Sequence, residues 1–317
     1  MKKTALYLAA AICLALAYSC KEDEETTTKY SLTGLSINGS VAFVGVGDYQ
    51  NISVDTDYIS TTGSQMPDAI GISWQVNSSD KEILSENIST NPVTALPPYK
   101  VDSLGSYVIH CYAFAADNSQ YSCEVSAKFE AIDPDTALTG LSGFVESGNK
   151  YREISHAGLT WTAENIYEST DAAKGLPYSG CEIMNSVFGR YYTYEEAMNA
   201  CPSGWHLPTG AEWDALGTDA GKLMANARFL DTDLWSYSKE VRITNDYGFN
   251  AIPAGYIDLT AINTPNAGEK EYAAFWTADA KDSDLAFYRF IFGTNPVVQT
   301  MEGSRTSLAL SVRCVKN

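Results

Sequence analysis

The stretch "TYEEAMNACPSGWHLPTGAEWDAL", residues 193–216, decides the fold of the C-terminal half because it holds two helix-start signals, a cysteine and two tryptophans. Thr193 and Glu196 form a capping box, in which the threonine hydroxyl takes an orphan amide and the glutamate reaches back to the cap. Four residues then recur at helical spacing and predict one inward helix face: Tyr194, Ala197, Met198 and Cys201.

The second half of this stretch repeats the pattern after a break. "CPSGW" ends the first helix, and "WHLP" predicts a short extended piece. Thr209 with Glu212 is a second capping box and starts a second helix. Trp213 and Leu216 form the inward face of that helix. The whole stretch therefore predicts a helix, a tight turn, a strand fragment and a helix, with both apolar faces directed at one core.

The N-terminus carries a targeting segment. Two lysines precede an apolar stretch, residues 5–17, that is too short for a comfortable membrane span. The segment ends in "LALAYSC", residues 14–20, where small residues before Cys20 look like a bacterial lipoprotein lipobox. This interpretation makes residues 1–19 a signal peptide and Cys20 the acylated residue. A plain secretory signal that is cleaved nearby is the alternative.

"KEDEE" follows Cys20 directly and opens an acidic tether, residues 20–30. An acidic run in this place resembles the export signal that sends some Gram-negative lipoproteins to the outer face of the outer membrane. A merely solvated tether is the alternative. No other stretch is long and apolar enough to cross a bilayer. We therefore expect an outer-membrane protein that is anchored by its lipid and exposed at the cell surface.

Composition indicates a globular protein rather than a disordered one, since 45% of the residues are hydrophobic and 19% are charged. The 317 residues are too many for one ordinary core and favour two domains. The formal net charge of −18 repels phosphate backbones, so nucleic acid is not an expected partner.

"DPDTA", residues 133–137, is interpreted as a linker between two domains, because Asp-Pro breaks regular structure. The short sequence "LTGLS" occurs at residues 32–36 and again at 138–142, and each copy opens a region of different character. We place the two domains at residues 31–133 and 138–317, and we call the second one the head.

The first domain is predicted to consist of β-strands. Apolar and polar residues alternate in five segments separated by turn residues, which favours a β-sandwich. The layout resembles immunoglobulin-like and polycystic-kidney-disease-type modules, with Trp74 as the central core tryptophan. The segments are "VAFVGV" at 41–46, "NISVD" at 51–55, "IGISWQV" at 70–76, "YVIHCYAFA" at 107–115 and "SCEVSAKFEA" at 122–131.

The seven cysteines fit an exported protein, because five remain after Cys13 leaves with the signal and Cys20 takes lipid. An odd number leaves at least one free or intermolecular thiol. Cys111 and Cys123 lie on the two arms of a predicted hairpin that turns at "AADNSQ". Facing positions on such arms come within disulfide reach. A disulfide and two buried thiols are both compatible with this placement.

Five motifs of the C-terminal half occur in the order typical of one family. The first is Gly-Trp-His-Leu-Pro followed by Glu-Trp-x-x-Leu, in the stretch quoted above. The other four are "WTAENI" at 161–166, "GFNAIPAGY" at 248–256, "FWTA" at 275–278 and "LSVRCVKN" at 310–317. On these motifs, residues 140–317 resemble the Fibrobacter succinogenes major paralogous domain family. That family in turn resembles C-type lectins and the formylglycine-generating enzyme group.

The resemblance implies an α+β C-type lectin-like fold for the head. The expected fold class is thus multidomain, an all-β immunoglobulin-like sandwich followed by an α+β C-type lectin-like domain. In the C-type lectin fold the helix cysteine pairs with the last-strand cysteine, which implies a Cys201–Cys314 disulfide. Cys181 is then left over, either as a reactive thiol or as an inert, partly buried one.

No strong catalytic or metal constellation is found in the sequence, and we expect neither an enzyme nor a required cofactor. The three histidines lack metal-ligand spacing, and C-x-x-C, G-x-S-x-G and Walker-type motifs are absent from the sequence. The formylglycine-generating group needs a cysteine pair near its C-terminus, where this chain has Cys314 alone. Asn263, Asn266 and Glu269 of "NTPNAGE" could supply oxygens to calcium, but the sugar-binding lectin motif is missing and a polar surface loop is the alternative.

A ligand is expected at two loops in which this fold usually varies, "LDTDLWSYSKEV" at 230–241 and "IDLTAINTPNAGEKEY" at 257–272. Exposed aromatics with polar flanks suit sugar or protein binding, while a packed loop tryptophan is the alternative for Trp235. We expect a non-catalytic surface protein that captures or adheres to a glycan or protein. An envelope or fimbria-associated structural subunit is the second hypothesis. The candidate ligand-binding residues are Trp235, Tyr237, Asp258, Asn263, Asn266 and Glu269.

Overall fold

A computed structural model of the protein describes most of the chain after residue 29. The described residues are 30–60, 70–90, 95–115, 118–143, 150–178, 182–230, 232–236, 240–261 and 266–317. The predicted signal peptide and Cys20 lie outside them, as do Cys181, Tyr237 and Asn263. No helix in the described part of the chain is long and apolar enough to cross a membrane.

The protein is a β-rich multidomain chain in which strand far exceeds helix. Each of the five predicted strand segments overlaps a strand of the N-terminal region, residues 30–132. The described strands of this region are β1 (Tyr30–Asn38), β2 (Phe43–Gly45), β3 (Tyr49–Gln50), β4 (Ser53–Ser60), β5 (Ile70–Ser78), β6 (Lys81–Thr90), β7 (Tyr99–Lys100), β8 (Gly105–Ala115) and β9 (Asn118–Ile132).

The largest sheet of the N-terminal region has the strand order β2-β9-β8-β5-β6. β2 runs parallel to β9, whereas the other neighbours are antiparallel. β1 pairs with β4 and contacts β8 and β9, and β3 pairs with β7. Trp74 on β5 is buried, as the sequence predicts, together with Val54 on β4 and Ile109 on β8. Its indole N–H donates to Oε2 of Glu86 at 3.3 Å.

The head combines short strands with short helices. Its helices are a 3-10 helix (Glu182–Met184), α1 (Asn185–Phe188), α2 (Tyr194–Ala197), α3 (Gly210–Ala215) and α4 (Ala220–Leu223). Its strands are β10 (Glu153–His156), β11 (Leu159–Thr162), β12 (Leu176–Pro177), β13 (Arg190–Tyr191), β14 (Trp205–His206), β15 (Arg228–Phe229), β16 (Thr232–Asp233), β17 (Tyr256–Asp258), β18 (Asn266–Ala267), β19 (Tyr272–Ala280), β20 (Leu285–Phe292), β21 (Gln299–Ser304), β22 (Leu308–Ala309) and β23 (Val315–Lys316).

The first and last strands of the head lie in one sheet, with the order β10-β11-β23-β14. Trp161 on β11 faces Val315 on β23, so the two ends of the head are held together. A second sheet has the order β19-β20-β21, and a third has the order β18-β17-β22. β12 pairs with β13, and β15 forms a hairpin with β16.

The two capping boxes predicted from the opening stretch are present. At α2, Oε2 of Glu196 accepts hydrogen bonds from the amide and the hydroxyl of Thr193, each at 3.0 Å. At α3, the Thr209 hydroxyl accepts from the Glu212 amide at 3.3 Å, and Oε2 of Glu212 accepts from the Thr209 amide at 2.7 Å. These reciprocal bonds satisfy amides that a helix start would otherwise leave unpaired.

One residue of the predicted helix faces points outward. α2 ends at Ala197, after a single turn, and Met198 is 47% exposed. The periodicity fails there because the chain has already left the helix. Trp213 and Leu216 of the second helix are buried, as predicted.

The predicted linker is a packed turn rather than an extended connection. The backbone oxygen of Asp133 accepts from the Ala137 amide at 2.9 Å, and its carboxylate accepts from the Thr136 hydroxyl at 2.9 Å. Leu138 and Leu141, just beyond it, are partly buried against the core. The segment therefore holds the two regions close to each other.

Apolar side chains of both regions belong to one continuous core. The ring of Phe43 on β2 lies 4.9 Å from that of Phe229 on β15 and 5.9 Å from that of Phe188 on α1, centroid to centroid. Gly45 lies so close to the 3-10 helix that an added methyl group would stand 3.1 Å from Sδ of Met184. The N-terminal region thus packs directly on the head.

Candidate functional site

Cys201 and Cys314 form a disulfide that joins the end of the α2 segment to the residue before β23. Their Cα atoms lie 5.8 Å apart, and the two residues are 113 positions apart in the chain. The structure thereby confirms the pairing that the family resemblance implied.

The structure does not contain the expected Cys111–Cys123 disulfide, and both residues are thiols. β8 and β9 pair with Cys111 opposite Val125 and Cys123 opposite Ala113, so the cysteines are diagonal neighbours rather than facing residues. Diagonal positions on paired strands are farther apart than facing ones. Burial raises the pKa of Cys111 to about 12, which keeps that thiol protonated and weakly reactive.

Trp235 packs inside the head, which corrects the expectation of an exposed binding tryptophan. It is 2% exposed, and its indole N–H donates to the backbone oxygen of Ala251 at 3.1 Å. This hydrogen bond replaces the one that the indole N–H would make with water, so the ring can be buried.

A cleft of about 510 Å³ opens beside Trp235. The buried apolar residues Ala225, Trp235 and Val241 form part of its wall, although polar surface predominates in the lining as a whole. Asn226 and Arg242 are exposed at its rim. The tryptophan therefore contributes to a concave surface even though its ring is not presented to solvent.

The rim of this cleft also carries the carboxylate of Asp233. Its Oδ1 accepts from Nε of Arg228 at 3.0 Å, across the β15–β16 hairpin. In the part of the chain that the structure describes, the guanidinium of Arg242 makes neither a hydrogen bond nor an ion pair. A guanidinium binds pairs of oxygen atoms with its parallel N–H groups. The rim can therefore orient a polar ligand against the apolar wall.

Of the second-loop candidates that the structure describes, Asp258, Asn266 and Glu269, none lines this cleft. Oδ1 of Asp258 accepts from the amide and the hydroxyl of Thr260, at 2.9 and 2.6 Å, and these hydrogen bonds lower the pKa of Asp258. Asn266 begins β18, opposite Ile257. Glu269 is directed at the N-terminal region. The structure thus does not gather these residues with Trp235 into one site.

Glu269 contacts the N-terminal region through its carboxylate. Oε2 accepts from the Ala42 amide at 2.8 Å. Oε1 is inaccessible to solvent and has no hydrogen-bond partner among the described residues. Burial raises the pKa of Glu269 to about 7, against the opposing effects of the Ala42 amide, the Lys270 charge and the Phe43 amide. This carboxyl therefore lies at the junction between the two regions and not in an exposed polar loop.

Among the residues that the structure describes, no group of three or more His, Cys, Asp or Glu side chains could hold a metal ion. Nδ1 of His206 lies 2.6 Å from Oδ1 of Asn317, and Nε2 lies 2.9 Å from Oε1 of Glu212. This histidine connects α3 with the C-terminus, in keeping with the scaffold role of its motif. His110 lies on β8, in the predicted strand.

The comparison with protein families identifies the class of the head. The family described as Fibrobacter succinogenes major domain matches residues 147–316. This match covers more than half of the chain, so the protein belongs to the Fibrobacter succinogenes major domain family. Neither a curated protein nor a solved structure matches the chain.

Sequence patterns do not single out the rim residues Asn226, Asp233 and Arg242. Asp233 lies inside the variable segment 230–241, and Arg242 directly follows it. The loop that was predicted to bind a ligand therefore includes or adjoins two of the three rim residues. Asn226 carries no such signal, because its place at the rim depends on how α4 and the β15–β16 hairpin pack.

Proposed function

We propose that this protein is a non-catalytic lipoprotein of the cell surface that captures or adheres to a glycan or protein through its head. The observation that supports this most is the cleft at Trp235, where an apolar wall lies beside exposed polar side chains. Ligand sites commonly combine an apolar concave surface with a few polar groups that orient the ligand.

The rim chemistry supports a ligand rich in oxygen acceptors. The Arg242 guanidinium and the Asn226 amide can both donate to hydroxyl or carboxylate oxygens. The Arg242 guanidinium at the rim forms no ion pair with the described residues and is therefore available to an acceptor on a ligand. A hydroxyl-rich glycan or a carboxylate-bearing segment of a protein has suitable groups.

Export and lipid anchoring belong to the same proposal. Residues 1–19 would act as the signal peptide, Cys20 would carry the lipid, and residues 20–30 would lead to the outer face of the outer membrane. The support is the N-terminal sequence pattern. The Cys201–Cys314 disulfide adds to it, because disulfides persist mainly in exported proteins.

The finer fold assignment is also proposed: an immunoglobulin-like sandwich at 31–133 and a C-type lectin-like domain at 138–317. Two features support it. One is the five-stranded sheet with buried Trp74, and the other is the disulfide from the α2 segment to the last strand.

The test is a glycan and matrix-protein array probed with the purified full chain, with and without calcium. Because the two regions share a core, the full chain is used and not the isolated head. We expect the wild type to bind one ligand class reproducibly. Arg242→Ala should bind the same ligand about tenfold more weakly, because it loses one charge-assisted contact. Lys81→Ala, an exposed position on β6, removes the same charge and should bind like wild type. Equal binding by both variants would contradict the cleft as the site.

One observation favours the second hypothesis, a structural envelope or fimbria-associated subunit. Side chains on one face of the β19-β20-β21 sheet form a partly exposed aromatic row. Tyr272 lies opposite Phe292, and Tyr288 lies opposite Met301, which is 43% exposed. Such surfaces suit protein partners. Silence of the folded full chain on every array feature would favour this hypothesis.

A further inference from the structure

The turn Gly268–Glu269–Lys270 touches both the N-terminal region and the cleft. On one side, the Glu269 carboxylate accepts from the Ala42 amide, next to β2. On the other side, the backbone oxygen of Lys270 accepts from the amide of Ser236 at 2.7 Å. Ser236 directly follows Trp235, which lines the cleft. This three-residue turn therefore connects the N-terminal region with the cleft.

The conformation of this turn leaves it little freedom. Gly268 has φ +75°, and a methyl group added to it would stand 1.7 Å from the ring of Tyr272. Lys270 has φ +66°, in the left-handed region that side chains other than glycine rarely adopt. The Lys270 amide also donates to the backbone oxygen of Pro253 at 3.0 Å. Movement of Glu269 is thus transmitted to the backbone that holds Ser236.

The hairpin beside the cleft contacts the N-terminal region a second time. The Thr232 hydroxyl donates to Oε1 of Glu130 on β9 at 2.8 Å, and the Ser106 hydroxyl donates to Oε2 of the same carboxylate at 2.6 Å. Thr232 precedes Asp233, which stands at the cleft rim. Docking of the N-terminal region therefore positions the cleft from two directions.

We propose that Glu269 is a positioning residue whose protonation state sets how tightly the N-terminal region docks on the head and how firmly residues 232–236 are held beside the cleft. Protonation removes the charge from a carboxyl whose Oε1 is buried without a partner among the described residues. Ionisation restores that charge, which is better solvated when the junction opens.

Charged groups from every element around Glu269 enter this balance. Lys270 lies on the same turn, Glu130 comes from β9, and Asp233 comes from β16 with its partner Arg228 on β15. Lys270 opposes the upward shift of the Glu269 pKa, and burial lowers the pKa of Lys270 itself. The two neighbouring carboxylates interact with that lysine too, so its charge is shared among three acids.

The direction of the pH effect follows from the raised pKa of Glu269. The folded pKa of about 7 lies above the ordinary pKa of a glutamate, 4.5, so the docked state binds the proton more tightly than the open state. Stabilisation by this group is fully present below the lower value and is lost as the pH rises through about 7. The junction is therefore tightest below about pH 4.5 and loosens progressively as the pH rises to about 7.

Amide hydrogen exchange on the purified full chain tests this inference without any ligand. It builds on the proposed cleft, but its outcome does not depend on whether a ligand binds there. After correction for intrinsic exchange rates, peptides covering residues 41–46 and 232–236 should open about tenfold more at pH 8.5 than at pH 5.5. A peptide covering β10 and β11, which lie in the sheet with β23 and β14, should change little.

Matched variants isolate the carboxyl. Glu269→Gln keeps the shape but cannot ionise, so both segments should stay protected at both pH values. Glu124→Gln, at an exposed position on β9, makes the same substitution and should behave like wild type. Equal protection of wild type at both pH values would overturn the inference, as would an unchanged pH response in Glu269→Gln. The wild-type comparison decides even if the glutamine variant fails to fold.

Discussion

Arg313 is a fully buried guanidinium whose hydrogen bonds all go to neutral acceptors among the described residues. It also lies over the ring of Phe249, 4.5 Å from the ring centroid. Burial lowers its pKa to about 9. The acceptors are Oδ1 of Asn165 at 2.7 Å and the backbone oxygens of Thr162 at 3.1 Å, Phe249 at 2.6 Å and Asn250 at 2.8 Å. Arg313, which lies in the last of the family motifs, therefore satisfies buried oxygens from two of the others.

Replacement of this arginine should be costly even when the charge is kept. Arg313→Lys loses the planar fork and leaves several buried oxygens unpaired, so the free energy of unfolding should fall by about 3–5 kcal/mol. Arg228→Lys, at an exposed ion pair, should change it by less than about 1 kcal/mol. Urea unfolding at neutral pH measures both. Similar losses of unfolding free energy in the two variants would show that burial of Arg313 does not determine its contribution to stability.

The contacts of some residues could be predicted from the sequence, and those of others could not. The capping boxes at Thr193 and Thr209 were predictable because their partners lie three residues away. Trp235 was ambiguous, since its burial depends on the backbone oxygen of Ala251, which comes from another loop. Glu269 looked like a polar loop residue, because its partner Ala42 is 227 positions away in the chain.

At the scale of elements, the conformation of the 268–270 turn depends on a single glycine. Gly268→Ala forces a methyl group into the Tyr272 ring and should lower the free energy of unfolding by roughly 3 kcal/mol. Gly158→Ala is a matched control, because Gly158 also has positive φ, at +81°, but open space around it. It should lose about 1 kcal/mol. Thermal unfolding of the two variants distinguishes the clash from the backbone effect, and equal losses would contradict the tight turn.

Strands with one buried face were predictable, and strands without one were not. The segments of β5, β8 and β9 alternate because one side of the sheet meets the core. β6 escaped prediction because most of its described side chains are exposed, so its sequence lacks that alternation. Met198 was misplaced for a related reason, since a helix of one turn is too short for periodicity to apply.

At the scale of the whole molecule, the Cys201–Cys314 disulfide closes a long loop within the head. Replacing both cysteines by serine should lower the free energy of unfolding by about 4 kcal/mol, because the unfolded chain gains freedom. Denaturant unfolding with and without reductant measures the effect. Reductant should destabilise the wild type and leave the double variant unchanged. A wild type that is insensitive to complete reduction would contradict a stabilising role.

The N-terminal region was predicted as a domain joined to the head by a linker, and the junction shows that it also packs on the head. Phe43 is shared between the two regions, and Glu269 and Glu130 add polar contacts across the boundary. The sequence could place a boundary near residue 133. It could not show the docking, because each contact joins residues from two regions that are far apart in the chain.

Differential scanning calorimetry of the full chain tests most directly whether the two regions form one packed unit. The account predicts a single transition near neutral pH, with the calorimetric enthalpy equal to the van't Hoff enthalpy. Glu269→Gln should shift that transition upward at pH 8.5 and clearly less at pH 5.5. Two separate transitions, with an N-terminal region that melts independently of the head, would contradict the account.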